Sequence, residues 1–433
     1  MRVHTIHSER FHRLLKETSW IVLGQALAIV GYLVGVRLFT GLLTPDIYGE
    51  LALVMTVATL INQIVLGPLA NGVVRFYAPA VEQGDLCGYL NAVRRLVLLA
   101  TVSIVFINLV TITCLLIVGK TKWIAVATAT LIFAILSSYD SILSGIQNAA
   151  RQRSIVALHQ GMIAWGRYLV AAGLMLWLGA TSTVAMVGFA VAVIPVLGSQ
   201  YLFFRKIVPQ NMPSAVRENN WAEQIWRFSW PYASWGIFSW AQQASDRWAL
   251  GFFATTKEVG LYAVLFQLGY YPIMMATGIA MQLLAPIIFQ RAGDGSDSQR
   301  NADVSKLSWR LSRYCLGLTV LAFGMAVLFH AQIFRIFVNK EYASVSYLLP
   351  WVLLSGGVFA VGQTLELNLA SQMKTPTLVM AKIVTSLFGV LIYFAGALLL
   401  GIIGVVFASV FISLLYSTWI IVLSSRETKG VTI

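Results

Sequence analysis

RLFTGLLTPDIYGELALV, Arg37–Val54, has a counterpart two hundred and ten residues later in RWALGFFATTKEVGLYAV, Arg247–Val264. Each copy places an arginine inside an apolar run. A turn containing threonine and an acidic residue follows (Thr44 with Asp46; Thr255 with Glu258), and a Tyr/Gly pair opens the next apolar run (Tyr48-Gly49; Gly260 with Tyr262). Arginine to glycine is 12 residues in the first copy and 13 in the second. A repeated junction between two long apolar segments is the mark of an internally duplicated membrane protein.

The rest of the chain fits that reading. Of 433 residues, 58% are hydrophobic and only 11% charged, with a mean hydropathy of +0.78. Soluble domains carry roughly a quarter charged residues. Spanning a bilayer takes about 20 mostly apolar residues. Twelve such runs can be laid down: 19–43, 48–72, 96–118, 123–145, 155–178, 183–204, 229–252, 259–284, 314–338, 346–371, 376–399 and 402–424. They are continuous rather than alternating, so the expectation is helices and not a β-barrel. The basic N-terminus resembles the n-region of a signal peptide. The run that follows it, Trp20 to Leu43, is too long for an h-region and ends without a small-x-small site, so it reads as a retained first helix.

The net charge of +13 suggests nucleic acid until the basic residues are placed. With the N-terminus cytoplasmic, 22 of them fall in inward-facing segments and only Lys120, Lys122, Lys257 and Lys340 in outward loops. That is the positive-inside pattern, and it predicts both termini on the cytoplasmic side of a multi-pass inner-membrane protein. No nucleic-acid partner is expected. Cys87, Cys114 and Cys315 show neither a disulfide framework nor a metal spacing.

Two further echoes support duplication. Ser144–Leu158 and Asn368–Lys382 are both small and polar, then basic, then reopen as helix; Ala78-Pro79 and Ala285-Pro286 close the second and eighth runs. Six helices per half preserve orientation, so the repeats should be parallel, related by an axis along the membrane normal. The expected organisation is an N-terminal lobe over 1–208, a cytoplasmic linker over 209–228 containing Pro209 and Pro213, and a C-terminal lobe over 229–433.

These features resemble the polysaccharide and O-antigen flippases of the multidrug/oligosaccharidyl-lipid/polysaccharide exporter superfamily. The resemblance rests on Gly24-Gln25, on Arg37-Leu38 leading to Leu42-Leu43-Thr44-Pro45 and Tyr48-Gly49, and on Arg75-Phe76 with Pro79. It continues with Gln147 and its basic turn, Asp246-Arg247, and Val259-Gly260-Leu261-Tyr262. It covers nearly the whole chain. It implies two six-helix lobes forming a V around a central cavity, working by alternating access. The implied cargo is a polyprenyl-pyrophosphate-linked oligosaccharide, an O-antigen or exopolysaccharide repeat unit, moved from inner to outer leaflet. Membrane lipids, and other membrane proteins of polysaccharide assembly, are the remaining partners implied. Lipid II flippases share the fold but usually carry two extra helices; no run follows Ile420, so the chain is expected to lie outside that branch.

Such a cargo needs cations for its phosphates, and arginine can bond two oxygens at once. Arg37, Arg167, Arg247 and Arg335 fall within predicted spans, where charge is costly and usually faces a bundle interior. Arg167, midway along its span, is the first candidate for pyrophosphate, against a structural ion pair. Arg37 and Arg247 occupy echoed positions, and Arg75 resembles a family position; for these the competing reading is anchoring at the headgroups. Sugar contacts are assigned to Gln25, Gln242, Trp235 and Trp240, with Asn62, Gln63 and Gln243 as further amides; packing between helices is the alternative. Asp140 and Glu366 sit near the ends of matching helices. They read either as a proton- or sodium-coupling site or as gate ion pairs with Lys382, Arg151 or Arg153, and Asp246 joins this group beside Arg247. No other cofactor and no metal site is expected.

Two other classes compete with this one. An exporter of small cationic compounds on the same fold would favour acidic residues in its cavity, against Arg167. A membrane enzyme of polysaccharide assembly, a polymerase, ligase or glycosyltransferase, would need a large outward loop, and the outward loops here are short.

Overall fold

The computed structural model describes residues 26–206, 220–293, 297–372 and 375–430. Helices occupy the places of the twelve runs. In order they are α1 Ala26–Leu42, α2 Pro45–Glu82, α3 Leu86–Ile117, α4 Lys122–Ala149, α5 Arg153–Leu178 and α6 Ser182–Arg205. They continue with α7 Trp221–Phe253, α8 Thr256–Ala292, α9 Ser298–Phe337 and α10 Leu349–Ser371, the last entered through a 3-10 segment at Lys340–Leu348. The helical stretch Thr375–Gly430 contains the final two, α11 over 375–400 and α12 over 402–430, which meet at Gly401. No strand occurs among the described residues. Large apolar side chains cover the outside, as on α3, where Leu99, Val102, Phe106, Leu109 and Ile117 are all more than half exposed. A surface so apolar is a lipid surface.

Several helices outrun their apolar stretches. α3 begins ten residues before its run, because the Asp85 carboxylate accepts from Gly88 N at 3.1 Å and caps the helix. The same carboxylate accepts from Trp221 Nε1 at 2.7 Å. α9 begins at Ser298, capped by Asp297, which accepts from Gln299 N and Arg300 N. α2 and α8 each contain a π-turn, Asn62–Leu66 and Phe266–Tyr270, just before a proline (Pro68; Pro272). Proline has no N–H to give the carbonyl four residues back, and widening the turn by one residue re-pairs the ladder.

Contacts divide the described chain into two units. The first holds α1 and residues 54–240; the second holds residues 43–53 and 241–433. In the first, α6 packs against α5 and α4, and α4 against α2. The opening turns of α7 belong here: Trp221 meets Asp85, Ser229 lies over Gly72, and Trp240 Nε1 donates to Thr56 O at 2.7 Å. In the second, α10 is the central helix, packed on α8, α9, α11 and α12. Its hydroxyls join it to its neighbours: Ser355 Oγ with Ser413 Oγ at 2.9 Å, and Thr364 Oγ1 with Ser312 Oγ at 2.6 Å. Small and hydroxyl-bearing residues are what pack helices together where lipid supplies no hydrophobic drive.

The two copies of the repeated stretch meet inside the second unit. A Cβ on Gly49 would lie 1.9 Å from Thr256 O, and one on Gly260 would lie 1.9 Å from Pro45 O. The crossing is therefore reciprocal: each copy's glycine sits on the residue that opens the other copy's helix. Tyr342 fixes the arrangement by donating to Leu43 O at 2.9 Å, and the Tyr48 hydroxyl hydrogen-bonds Gln267.

The α11–α12 turn is held from α8. Gly401 has φ +56°, a left-handed value suited to glycine, and Ile402 N donates to Glu258 Oε2 at 2.9 Å. Glu258 thus serves as a borrowed N-terminal cap for α12. Glu258→Ala should cost about 1 kcal/mol, as cap losses do, seen as a lower unfolding temperature in detergent, with Glu258→Gln retaining much of the loss-free behaviour.

Candidate functional site

Arg167 lies on α5, half-buried, in the first unit. Its guanidinium carbon stands 4.7 Å from the Tyr168 ring centroid and 6.0 Å from that of Phe189, and Nη2 donates to the Tyr168 hydroxyl at 3.2 Å. Tyr168 is itself buried edge-on against Phe39 and Phe189, with centroids at 5.2 and 5.8 Å. A cation over an aromatic face gains about 0.5–2 kcal/mol, more when desolvated. Tyr168 of α5 and Phe189 of α6 therefore hold the arginine, with Phe39 of α1 backing Tyr168.

Arg247, on α7 in the second unit, is held in a comparable way. Its guanidinium carbon lies 4.5 Å from the Phe266 ring centroid, within the π-turn of α8. Nη1 donates to Gln243 O at 3.1 Å and stands 3.8 Å from Asp246 Oδ1. Asp246 is only 2% exposed; it accepts from Arg247 N at 2.6 Å and from the Tyr262 hydroxyl. Side chains adjacent on a helix diverge by about 100°, yet this pair reaches ion-pair distance because the arginine folds back toward its own preceding turn. Arg37, Arg75 and Arg335 are exposed.

A second polar group lies in the second unit. Lys382 of α11 makes an ion pair with Glu366 of α10, whose other carboxylate oxygen accepts from the Tyr416 hydroxyl of α12 at 2.8 Å. One turn on from Lys382, Ser386 Oγ donates to Gln242 Oε1 of α7 at 2.9 Å. Glu366, Lys382 and Gln242 thus stand in one chain of contacts across four helices. Asp140 is elsewhere, on α4 in the first unit, and among the ion pairs of the described residues none joins it to Arg151 or Arg153. Trp240 spends its N–H on Thr56 O, and Trp235 is half-buried. Gln25 lies outside the described residues. No group of three or more His, Cys, Asp or Glu able to hold a metal occurs among the described residues.

The aromatic supports, Tyr168, Phe189 and Phe266, were not singled out from the sequence. Only Tyr168 carried a signal, its adjacency to Arg167; Phe266 is nineteen residues from Arg247 and arrives through the fold.

Comparison with known proteins gives this all-helical membrane chain its family and its fold relatives. A family model described as "Polysaccharide biosynthesis protein" matches residues 14–291, well over half the chain, and the chain belongs to that family. A search of curated proteins finds no match. Among solved structures, an inward-facing multidrug resistance MATE family transporter of the MOP superfamily is similar over 93% of this chain and 95% of its own, with a TM-score of 0.71 at 11% identity. The lipid II flippase MurJ in an inward closed conformation is similar over 96% of this chain and 90% of its own, with a TM-score of 0.69 at 13% identity. A MOP superfamily transporter from Pyrococcus furiosus is similar over 96% and 97% respectively, with a TM-score of 0.58 at 14% identity. At these identities the likeness speaks for the fold.

Proposed function

We propose that the protein is a flippase that moves a polyprenyl-pyrophosphate-linked oligosaccharide from the inner to the outer leaflet of the bacterial cytoplasmic membrane by alternating access. The distribution of basic residues between the apolar runs supports both termini on the cytoplasmic side. The observation that carries the reading is the pair of arginines within the membrane spans, Arg167 and Arg247, one in each unit and each laid on an aromatic face. A charge kept in a span at such cost usually serves a substrate path. A fork of donors on a flat ring suits a pyrophosphate better than it suits a cationic drug, for which carboxylates would be expected. Family membership in polysaccharide biosynthesis and the fold shared with a lipid II flippase support a lipid-linked sugar as the cargo class.

In this reading Arg167 is the principal phosphate contact of the first unit and Arg247 its counterpart in the second, and Trp235 in the first and Gln242 in the second are each candidates for contact with the glycan. Glu366 and Lys382 form an ion pair that opens and closes with the transport cycle. The test is a reconstituted flipping assay with a fluorescent polyprenyl-pyrophosphate sugar. Wild type should flip it; Arg167→Ala and Arg167→Lys should both lose most of the rate while folding normally, since lysine cannot bond bidentately. Normal flipping in Arg167→Ala would make that residue structural. A wild type that moves no lipid-linked sugar but takes up a small organic cation would transfer the assignment to a cation exporter.

A further inference from the structure

Within the membrane-spanning parts of the second unit the described residues form two acid–base pairs, one sealed and one open. Side-chain exposure is 15% for Arg247 and 3% for Asp246, against 32% for Lys382 and 19% for Glu366. The open pair is held unequally. Glu366 meets Lys382 with one carboxylate oxygen and accepts from the Tyr416 hydroxyl with the other, at 2.8 Å. Tyr416 is 1% exposed and lies face to face with Phe359, ring centroids 4.7 Å apart, so that hydroxyl is a fixed donor. The Lys382 ammonium, on a flexible four-carbon stem, meets Glu366 alone among the acids of the described residues.

α7 and α11 run in the same direction and nearly in step, since Gln242 meets Ser386 and Phe252 meets Phe394. Arg247 follows Gln242 by five residues, and Lys382 precedes Ser386 by four. At 1.5 Å of rise per residue their Cα atoms differ by about 14 Å in depth. The second unit thus carries cations at two depths, one fixed by a buried acid and one on a movable stem. An ammonium in a span needs an anion beside it. Glu366 meets that need, and it keeps the Tyr416 hydrogen bond when the pair parts. A phosphate oxygen can take its place on Lys382 through the same kind of charge-assisted hydrogen bond. We propose, resting on the flippase reading, that Lys382 is a contact for the pyrophosphate of a lipid-borne cargo and Glu366 its internal competitor. The carboxylate holds the ammonium until the cargo's oxyanion displaces it.

The test is site-resolved amine labelling of the purified full-length protein, with modification of Lys382 followed by mass spectrometry. The probe is farnesyl pyrophosphate, whose binding is measured separately by calorimetry. It should slow labelling of Lys382 saturably; farnesol, the tail without the charge, should not. Inorganic pyrophosphate should protect only at higher concentration. Glu366→Gln keeps an oxygen for Tyr416 but gives up the competing charge. Half-protection should then come at about tenfold lower probe concentration, the scale of one hydrogen bond to a charged group. A pair that is merely structural predicts no shift or the opposite one. A probe that binds yet leaves Lys382 labelling unchanged, protection by farnesol, equal protection by inorganic pyrophosphate, or an unshifted Glu366→Gln would each overturn the proposal alone. Calorimetry that finds no binding of the probe to wild type would overturn the flippase reading with it.

Discussion

Gly49→Ala and Gly260→Ala are each expected to lower the unfolding temperature sharply, although each adds a single methyl group. The built Cβ positions lie 1.9 Å from the carbonyl oxygens of Thr256 and Pro45, and those atoms belong to backbone rather than to a side chain that can swing away. Relief requires the two helices to separate. Separation breaks the neighbouring contacts of Tyr342 with Leu43 O and of Tyr48 with Gln267. Overpacking in a dense interior costs about 1–3 kcal/mol and more where backbone must move, and both substitutions belong at the upper end. Gly317→Ala on α9 is the control, because nothing stands within 4 Å of its built Cβ. It should be neutral. The measurement is thermal unfolding and size-exclusion behaviour in detergent. The reciprocal geometry makes a sharper claim: Gly49→Ala/Gly260→Ala should cost less than the sum of the singles, because one clash already pries the crossing apart. Wild-type-like melting of either single variant would mean the crossing is looser than described.

That crossing shows where the sequence was readable and where it was not. The repeated stretch was visible because apolar length, a Thr-containing turn and a Tyr/Gly pair recur at nearly fixed spacing. The twelve helices were visible for the same reason, since a bilayer demands about 20 apolar residues at a time. Helix ends were less legible. Asp85 and Asp297 start their helices well outside the apolar runs, in stretches whose composition carries no hydrocarbon signal. That the two echoes would touch each other was not legible at all, because a repeat announces similarity and says nothing about contact. The residues 43–53 join the second unit, while the first turns of α7 join the first. Such exchanges are written in Gly49, Gly260, Trp221 and Trp240, each ordinary in isolation. At the candidate site, charges in spans stood out, which is why Arg167, Arg247, Glu366 and Lys382 could be named. Gln200 and Ser144 could not: amides and hydroxyls are common in packed membrane helices, and their hydrogen bond to each other arises only from the fold.

Arg247→Ala should be the most damaging single change in the second unit's charge network, and its partner variants separate folding from transport. Asp246 is 2% exposed, and among the described residues the cation within ion-pair distance of it is Arg247, with Nη1 at 3.8 Å. Removing one partner of a buried pair leaves an uncompensated charge and costs about 3–5 kcal/mol, so Arg247→Ala should yield little folded protein. Asp246→Asn/Arg247→Ala removes both charges while keeping the shape at position 246, and the Tyr262 hydroxyl still has an amide to pair with. That double variant should recover most of the stability. If Arg247 also contacts phosphate, the recovered protein should remain unable to flip a polyprenyl-pyrophosphate sugar. Arg247→Lys adds a third point: it retains the charge beside Asp246 but gives up the planar stack on Phe266, set at 4.5 Å in the wild type. It should fold close to normally and flip slowly. A double variant that both folds and flips at the wild-type rate would reduce Arg247 to a counter-ion, and the phosphate-binding role would then rest on Arg167 alone. An Arg247→Ala protein as stable as wild type would show that Asp246 finds sufficient support from Tyr262 and the Arg247 backbone N–H, and that the pair is not a coupled unit.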